Sequence, residues 1–147
     1  MRMLVREYKE QDLESLQQIH AEQKFPYAFP DLRNPLFLTK IVLTDGERPE
    51  QKIRGAALLR LTAEAYLLLD PSQGTPRERW QSLLALHQAA QQDAWRRGLE
   101  DVHAWLPPAI AKKFGRRLER LGWLRDDAWT PYCKRLSPPA ANIGIES

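Results

Sequence analysis

Thr75-Pro76-Arg77-Glu78 follows closely on the apolar run Leu67-Leu68-Leu69-Asp70-Pro71, which places a helix start just behind a strand. Many folds hold a phosphate at such a junction. The first N–H groups of a helix lack partners within it, and the helix dipole favours an anion. The residue types here pull the other way. Thr75 suits the N-cap, where its hydroxyl accepts the N–H three residues on. Pro76 suits the first helical position, and Glu78 can reach back to the N–H of the cap. The donors an anion would use are partly taken, and a carboxylate sits where the anion would go.

Other residues with chemical capacity are scattered. Arg77 and Arg79 can offer side-chain contacts to phosphate in place of lost backbone donors; the plainer reading is two solvated residues in a first helical turn. Asp70 can act as a base at a strand end, although an aspartate there more often opens a turn. His20 and His87 fall on apolar helix stripes and read as core residues. Cys133, beside Tyr132, reads as core on a closing strand. The three histidines and one cysteine are too widely spaced for a zinc site, so no metal is expected. Phe25, Tyr27, Phe29 and Phe37 share a proline-rich loop that either lines an apolar pocket or plugs the open end of a sheet.

At 147 residues with 43% hydrophobic and 28% charged, the chain suits one soluble domain with a real core. No run approaches the roughly 20 apolar residues of a membrane span, and the N-terminus turns charged at once, without a signal-peptide core. The single cysteine excludes an internal disulfide and fits a reducing cytoplasm. The net charge of +3 is uneven: residues 112–136 hold eight Lys/Arg against three acids. That segment reads as a solvated helix face. Binding of an anionic partner is the sharper alternative, with nucleic acid not favoured.

The elements follow from periodicity. Leu4–Tyr8 is a short strand, Asp12 an N-cap, and Leu13, Leu16, Ile19 and His20 the stripe of a first helix. Residues 25–37 carry three prolines and form an irregular loop. Ile41–Thr44, Ile53–Leu61 and Ala65–Leu69 read as an antiparallel meander, with turns at Asp45-Gly46 and Thr62-Ala63-Glu64. A long helix over Pro76–Arg97 buries Trp80, Leu83, Leu84, His87, Ala90, Ala94 and Trp95, and stops at Gly98. Val102–Leu106 is a strand halted by Pro107-Pro108. The next helix shows Ile110, Phe114, Leu118 and Leu121 on one face and ends at Gly122. Trp123-Leu124 and Pro131–Leu136 read as closing strands, and 137–147 as a tail.

This order resembles the GCN5-related N-acetyltransferase superfamily over roughly residues 3–136. The segment Val5–Leu16 looks like that family's opening strand and acidic helix start. Leu67-Leu68-Leu69-Asp70-Pro71 looks like its fourth strand. Leu118-Glu119-Arg120-Leu121-Gly122-Trp123 looks like its late helix, which typically ends Leu-Gly-Phe. The resemblance implies an α/β fold: a mixed, largely antiparallel sheet flanked by helices, in one acyltransferase domain over 1–136. It implies acetyl-CoA as cofactor, held by Leu69, Asp70, Gln73, Gly74, Arg77 and Arg79, and acetyl transfer to an amine of unknown identity. Strands Ala65–Leu69 and Val102–Leu106 should then lie parallel, joined by the long helix.

Two departures touch the chemistry. The family's cofactor loop carries glycines that let the backbone approach pyrophosphate. Alignment on Pro71 puts Thr75, Arg77 and Arg79 at those places; alignment on Leu83-Leu84 puts Pro76, Glu78 and Trp80 there. The family's usual tyrosine acid corresponds to Leu118, which has no proton to give. No catalytic residue can be named. The alternative to a divergent acyltransferase is an inactive binding or assembly protein that kept the scaffold and lost the cofactor loop. A homodimer is compatible with either, and no membrane partner is expected.

Overall fold

Phe37–Asp45 is the most β-prone run of the chain, and its burial shows why it takes the centre of a sheet: Val42 is 1% exposed and Thr44 fully buried. The computed structural model describes residues 3–46 and 52–138. These fall into two compact units, a first up to Leu61 and a second over Thr62–Pro138. The secondary structure is mixed α/β.

In the first unit, β1 (Met3–Glu7), β2 (Phe37–Asp45) and β3 (Ile53–Arg60) form an antiparallel sheet in that order. Val5 pairs with Leu43, and Ile41 with Ala57. The Thr44 hydroxyl donates to the Leu4 carbonyl at 3.4 Å, so this buried polar group is not left without a partner. The helix α1 (Leu13–Gln23) supplies Leu16 to a core shared with Leu32 and Val42, ringed by Tyr8, Leu13, Ile19, Phe29 and Phe37. The polar loop before β3 falls mainly on 47–51, outside the described residues.

Asp12 does not cap α1 with its side chain. A 3₁₀ turn, Glu10–Asp12, precedes the helix. The Asp12 carboxylate instead takes two bonds of 2.8 Å from the Arg6 guanidinium and a third of 2.8 Å from the Lys9 N–H. A charged strand residue facing inward needs a counter-charge more than the helix needs a cap.

The second unit departs further from expectation. Its strands are β4 (Ala63–Glu64) and β5 (Val102–His103), paired in parallel with Ala63 opposite Val102. The parallel pair is therefore present, but it sits on the residues expected to turn. Ala65–Leu69 forms no strand: only the Ala65 N–H reaches across, to the His103 carbonyl at 2.7 Å. The neighbouring strand β5 stops at His103, so beyond that bond the run has no partner in the ladder among the described residues. Tyr66 and Leu68 are consequently 80% and 88% exposed.

Between the strands runs α2 (Pro76–Arg96), and after β5 comes α3 (Pro108–Arg120). Both end in Schellman caps. Gly98 N–H meets Trp95 O and Leu99 N–H meets Ala94 O; Gly122 N–H meets Glu119 O and Trp123 N–H meets Leu118 O. On α2, Leu83 is buried and Trp80, His87 and Ala94 are half-buried, whereas Leu84, Ala90 and Trp95 are exposed. The closing strands are also absent: 123–124 and 131–136 have no regular structure. Pro131 offers no donor to a ladder, and an Arg125–Asp127 bond of 2.9 Å bends the intervening chain locally. Cys133 is exposed, not core, and Tyr132 is 94% exposed. From 139 onward the expected tail lies outside the described residues.

Candidate functional site

The turn entering α2 is built from its own side chains. The Thr75 hydroxyl accepts the Glu78 N–H at 3.2 Å, and Glu78 Oε2 accepts the Thr75 N–H at 3.0 Å. Pro76 has no N–H to give, and the Arg79 N–H is spent on the Thr75 carbonyl at 2.9 Å. Of the first-turn donors this leaves the Arg77 N–H without a hydrogen bond among the described residues.

The six residues expected to hold a cofactor all lie on this turn, but most are engaged with it. Asp70 Oδ1 accepts the Ser72 N–H at 2.9 Å and the Ser72 hydroxyl at 2.6 Å. Those bonds hold its carboxyl below the ordinary carboxylate range. Asp70 thus opens a turn, and the Gln73 N–H closes on its carbonyl at 3.4 Å. The Arg79 guanidinium donates to the Gly74 carbonyl at 2.8 Å. Arg77 is exposed and Leu69 half-buried. Gly74 has φ +72°, and a Cβ placed there would stand 2.5 Å from Glu78 Oε2. Glycine is needed here for the turn and for the close approach of the capping carboxylate.

This turn leaves few backbone donors free for an anion. Two first-turn donors are occupied within the box and one is missing. The Glu78 carboxylate lies over the turn, and Thr75 and Arg77 bring side chains to it.

The aromatic loop divides its residues. Phe29 and Phe37 pack on the core of the first unit, as a plug would. Phe25 and Tyr27 stack on each other at 5.5 Å between centroids and stay 49% and 44% exposed. His20 lies against Tyr27 at 5.2 Å and Phe29 at 5.6 Å, its Nε2 buried without a hydrogen-bond partner among the described residues. The loop's far end is pinned by the Lys40 ammonium, which donates to the Leu32 carbonyl at 2.9 Å.

Beside the loop lies an open cleft of about 310 Å³, with Tyr8, Leu13, Phe29 and Leu32 among its apolar lining and Glu10, Asp31 and Arg33 among its polar lining. Arg33 and Glu10 close on each other at 2.7 Å. The Tyr8 hydroxyl is buried without a hydrogen bond. Burial raises its phenol above the ordinary value, and the nearby charges of Glu10 and Asp12 add to the shift. The Glu10 carboxylate acts here by its field, since its geometry to the hydroxyl is not that of a hydrogen bond. The sequence reading missed this cleft and the Arg6–Asp12 pair. One signal was available: period-two alternation puts Leu4, Arg6 and Tyr8 on a single face of β1, and an arginine among apolar residues needs a partner.

His87 plays a structural part in the second unit, accepting the Trp123 indole N–H at 2.9 Å and linking α2 to the chain after α3. Among the described residues no group of three or more His, Cys, Asp or Glu could hold a metal, and no helix is long and apolar enough to cross a membrane. Compared with family models, curated proteins and solved structures, the chain matches none.

Proposed function

We propose that this chain is a non-catalytic binding protein, in which the loop that would meet a cofactor on an acetyltransferase-like scaffold serves as a structural turn. The observation that carries the reading is the reciprocal capping box of Thr75 and Glu78. It consumes backbone donors and sets a carboxylate over the turn. Leu118, at the place of the family's tyrosine acid, supports the same conclusion, because an acyl transfer through this site would lack the group that protonates the leaving thiolate.

One observation favours the second reading, a divergent acyl-CoA-dependent N-acyltransferase acting on an amine. The parallel pair β4–β5 is joined through α2, the order in which that family places its cofactor helix. Calorimetric titration of the full chain with acetyl-CoA and with free CoA separates the two. Weak or absent binding is expected. A sub-micromolar dissociation constant for acetyl-CoA overturns the binding-protein reading and restores the enzyme.

A further inference from the structure

The surplus positive charge of this protein is concentrated on α3. Five cations stand there against one acid, Glu119, whereas the whole chain carries a net +3. At about 100° per residue, Lys112, Lys113, Arg116, Arg117 and Arg120 fall within an arc of about 140°. All five are exposed, and the face extends about 12 Å along the axis.

These cations differ from five arginines elsewhere in the chain. Arg6, Arg33, Arg54, Arg97 and Arg125 each bind a carboxylate at 2.7–2.9 Å. Among the described residues none of the five on α3 forms an ion pair, and Arg117 alone has a neighbour, lying 6.0 Å above the Trp80 ring. A solvated helix face is stabilised by interspersed acids that pair its cations, and Glu119, the one acid on α3, pairs none of the five among the described residues. Here the like charges are left together, at a cost that a polyanion would remove.

The opposite side of α3 limits the kind of polyanion. Phe114, Leu118 and Leu121 are half-buried and only Ile110 of that stripe is exposed, at 49%, so most of the apolar surface that an interfacial helix would sink into lipid is already engaged. Trp105 stands three residues before the helix and is 60% exposed, its ring stacked on His103 at 12° between planes. An exposed indole just before a helix that carries a row of unpaired cations matches a partner that offers both phosphates and flat bases.

We propose that the cationic face of α3, with Trp105 at its N-terminal end, binds single-stranded nucleic acid through the phosphate backbone and one stacked base. The face acts independently of the turn entering α2, and its test is separate from the acetyl-CoA titration.

Fluorescence anisotropy of the full chain with a labelled oligodeoxythymidine of about 20 nucleotides gives the readout. With five phosphates neutralised, the slope of log K against log salt should be about −3.5. Affinity should then fall about a hundredfold between about 50 and 200 mM salt. Replacing Lys113, Arg116 and Arg120 together by Gln should weaken binding and reduce the slope by about 2. Trp105→Ala should cost about fivefold or more with the slope unchanged. Glu119→Gln should tighten binding, a gain that a misfolded variant could not show, and Arg54→Gln should change nothing. The proposal is overturned if the triple variant keeps the wild-type slope or if Trp105→Ala binds normally. Equal or tighter binding to duplex DNA, polyglutamate or phosphatidylserine vesicles overturns it as well.

Discussion

Thr75→Ala tests whether the turn entering α2 exists for the helix or for a ligand. The substitution removes the Oγ1 acceptor that the Glu78 N–H meets at 3.2 Å, and leaves the reciprocal bond from the Thr75 N–H to Glu78 intact. Loss of a threonine cap costs about 0.5–2 kcal/mol. Thr75 and Glu78 are both exposed, so water takes over part of the bond, and about 1 kcal/mol is the appropriate value. The helix it starts carries Leu83, the one buried hydrophobic residue of the second unit, together with half-buried Trp80. Fraying of the first turn therefore reaches the packing. If the chain melts as one cooperative body, the midpoint should fall by about 2–4 °C; if Thr62–Pro138 melts by itself, by about 4–8 °C. Thermal unfolding with and without CoA provides the assay. A wild-type midpoint for the ligand-free variant, with a smaller shift on adding CoA, would refute the structural reading and show that the turn is held for an anion.

Gly74→Ala should destabilise by about 1–2 kcal/mol from left-handed strain alone, and by more because its Cβ meets Glu78 Oε2 at 2.5 Å. Gly98→Ala provides the comparison, since Gly98 has φ +84° but nothing within 4 Å of the added carbon; equal losses in the two melts would contradict the capping role of Glu78. Asp12→Ala should cost about 3 kcal/mol by denaturant titration, because it removes the carboxylate that meets the Arg6 guanidinium, 14% exposed, with two bonds of 2.8 Å; Asp12→Leu combined with Arg6→Met should recover most of the loss. The Arg6 hydrogen bonds hold Asp12 below its ordinary 3.8, so its contribution is complete above about pH 4 and lost as pH falls through the depressed folded value. Thermal midpoints measured from pH 6 to about pH 2 should fall more gently on the acid side for Asp12→Leu combined with Arg6→Met than for the wild type.

Features governed by local chemistry were legible in the sequence, whereas those governed by distant partners were not. The capping box at Thr75 and Glu78, the proline at the first helical position and the stop at Gly98 each depend on a few consecutive residues, and each stands where the spacing puts it. The antiparallel pairing of β2 with β3 follows from β-rich strands and a turn dipeptide in the same way, whereas the third place in that sheet goes to β1 and not to Ala65–Leu69. Ala65–Leu69 shows the limit. Its composition suits a strand, but a strand also needs a neighbour with free donors and acceptors, and β5 stops at His103. The runs at 123–124 and 131–136 likewise pair with no strand among the described residues. Asp12 was assigned to a helix because an aspartate before an apolar stripe usually caps it. Its actual bond goes to Arg6, six residues back, on a strand whose register the sequence does not announce. The cleft beside Phe29 depends on how the proline-rich loop folds over α1, which no periodicity encodes.

The choice between a binding protein and an enzyme rests on which obstacle at α2 is the stronger. Charge alone is a modest one. A carboxylate near a helix N-terminus changes the energy of an anion there by a few tenths to about 1 kcal/mol, and a ligand phosphate making charge-assisted bonds gains about 1.5–3 kcal/mol for each. A phosphate could therefore displace Glu78 from the Thr75 N–H if it could come close enough. Steric approach is the stronger obstacle. Pro76 contributes a ring and no donor, and Thr75 and Arg77 carry side chains that deny the backbone the close approach glycine would allow. Opening the cap would expose few donors and no cradle. The cations on α3 face no such barrier, since their charges extend into solvent on long side chains with no carboxylate to answer them. An anion meeting this protein finds donors at the start of α2 engaged by the Thr75–Glu78 box, and on α3 a row of cations with no paired carboxylate among the described residues.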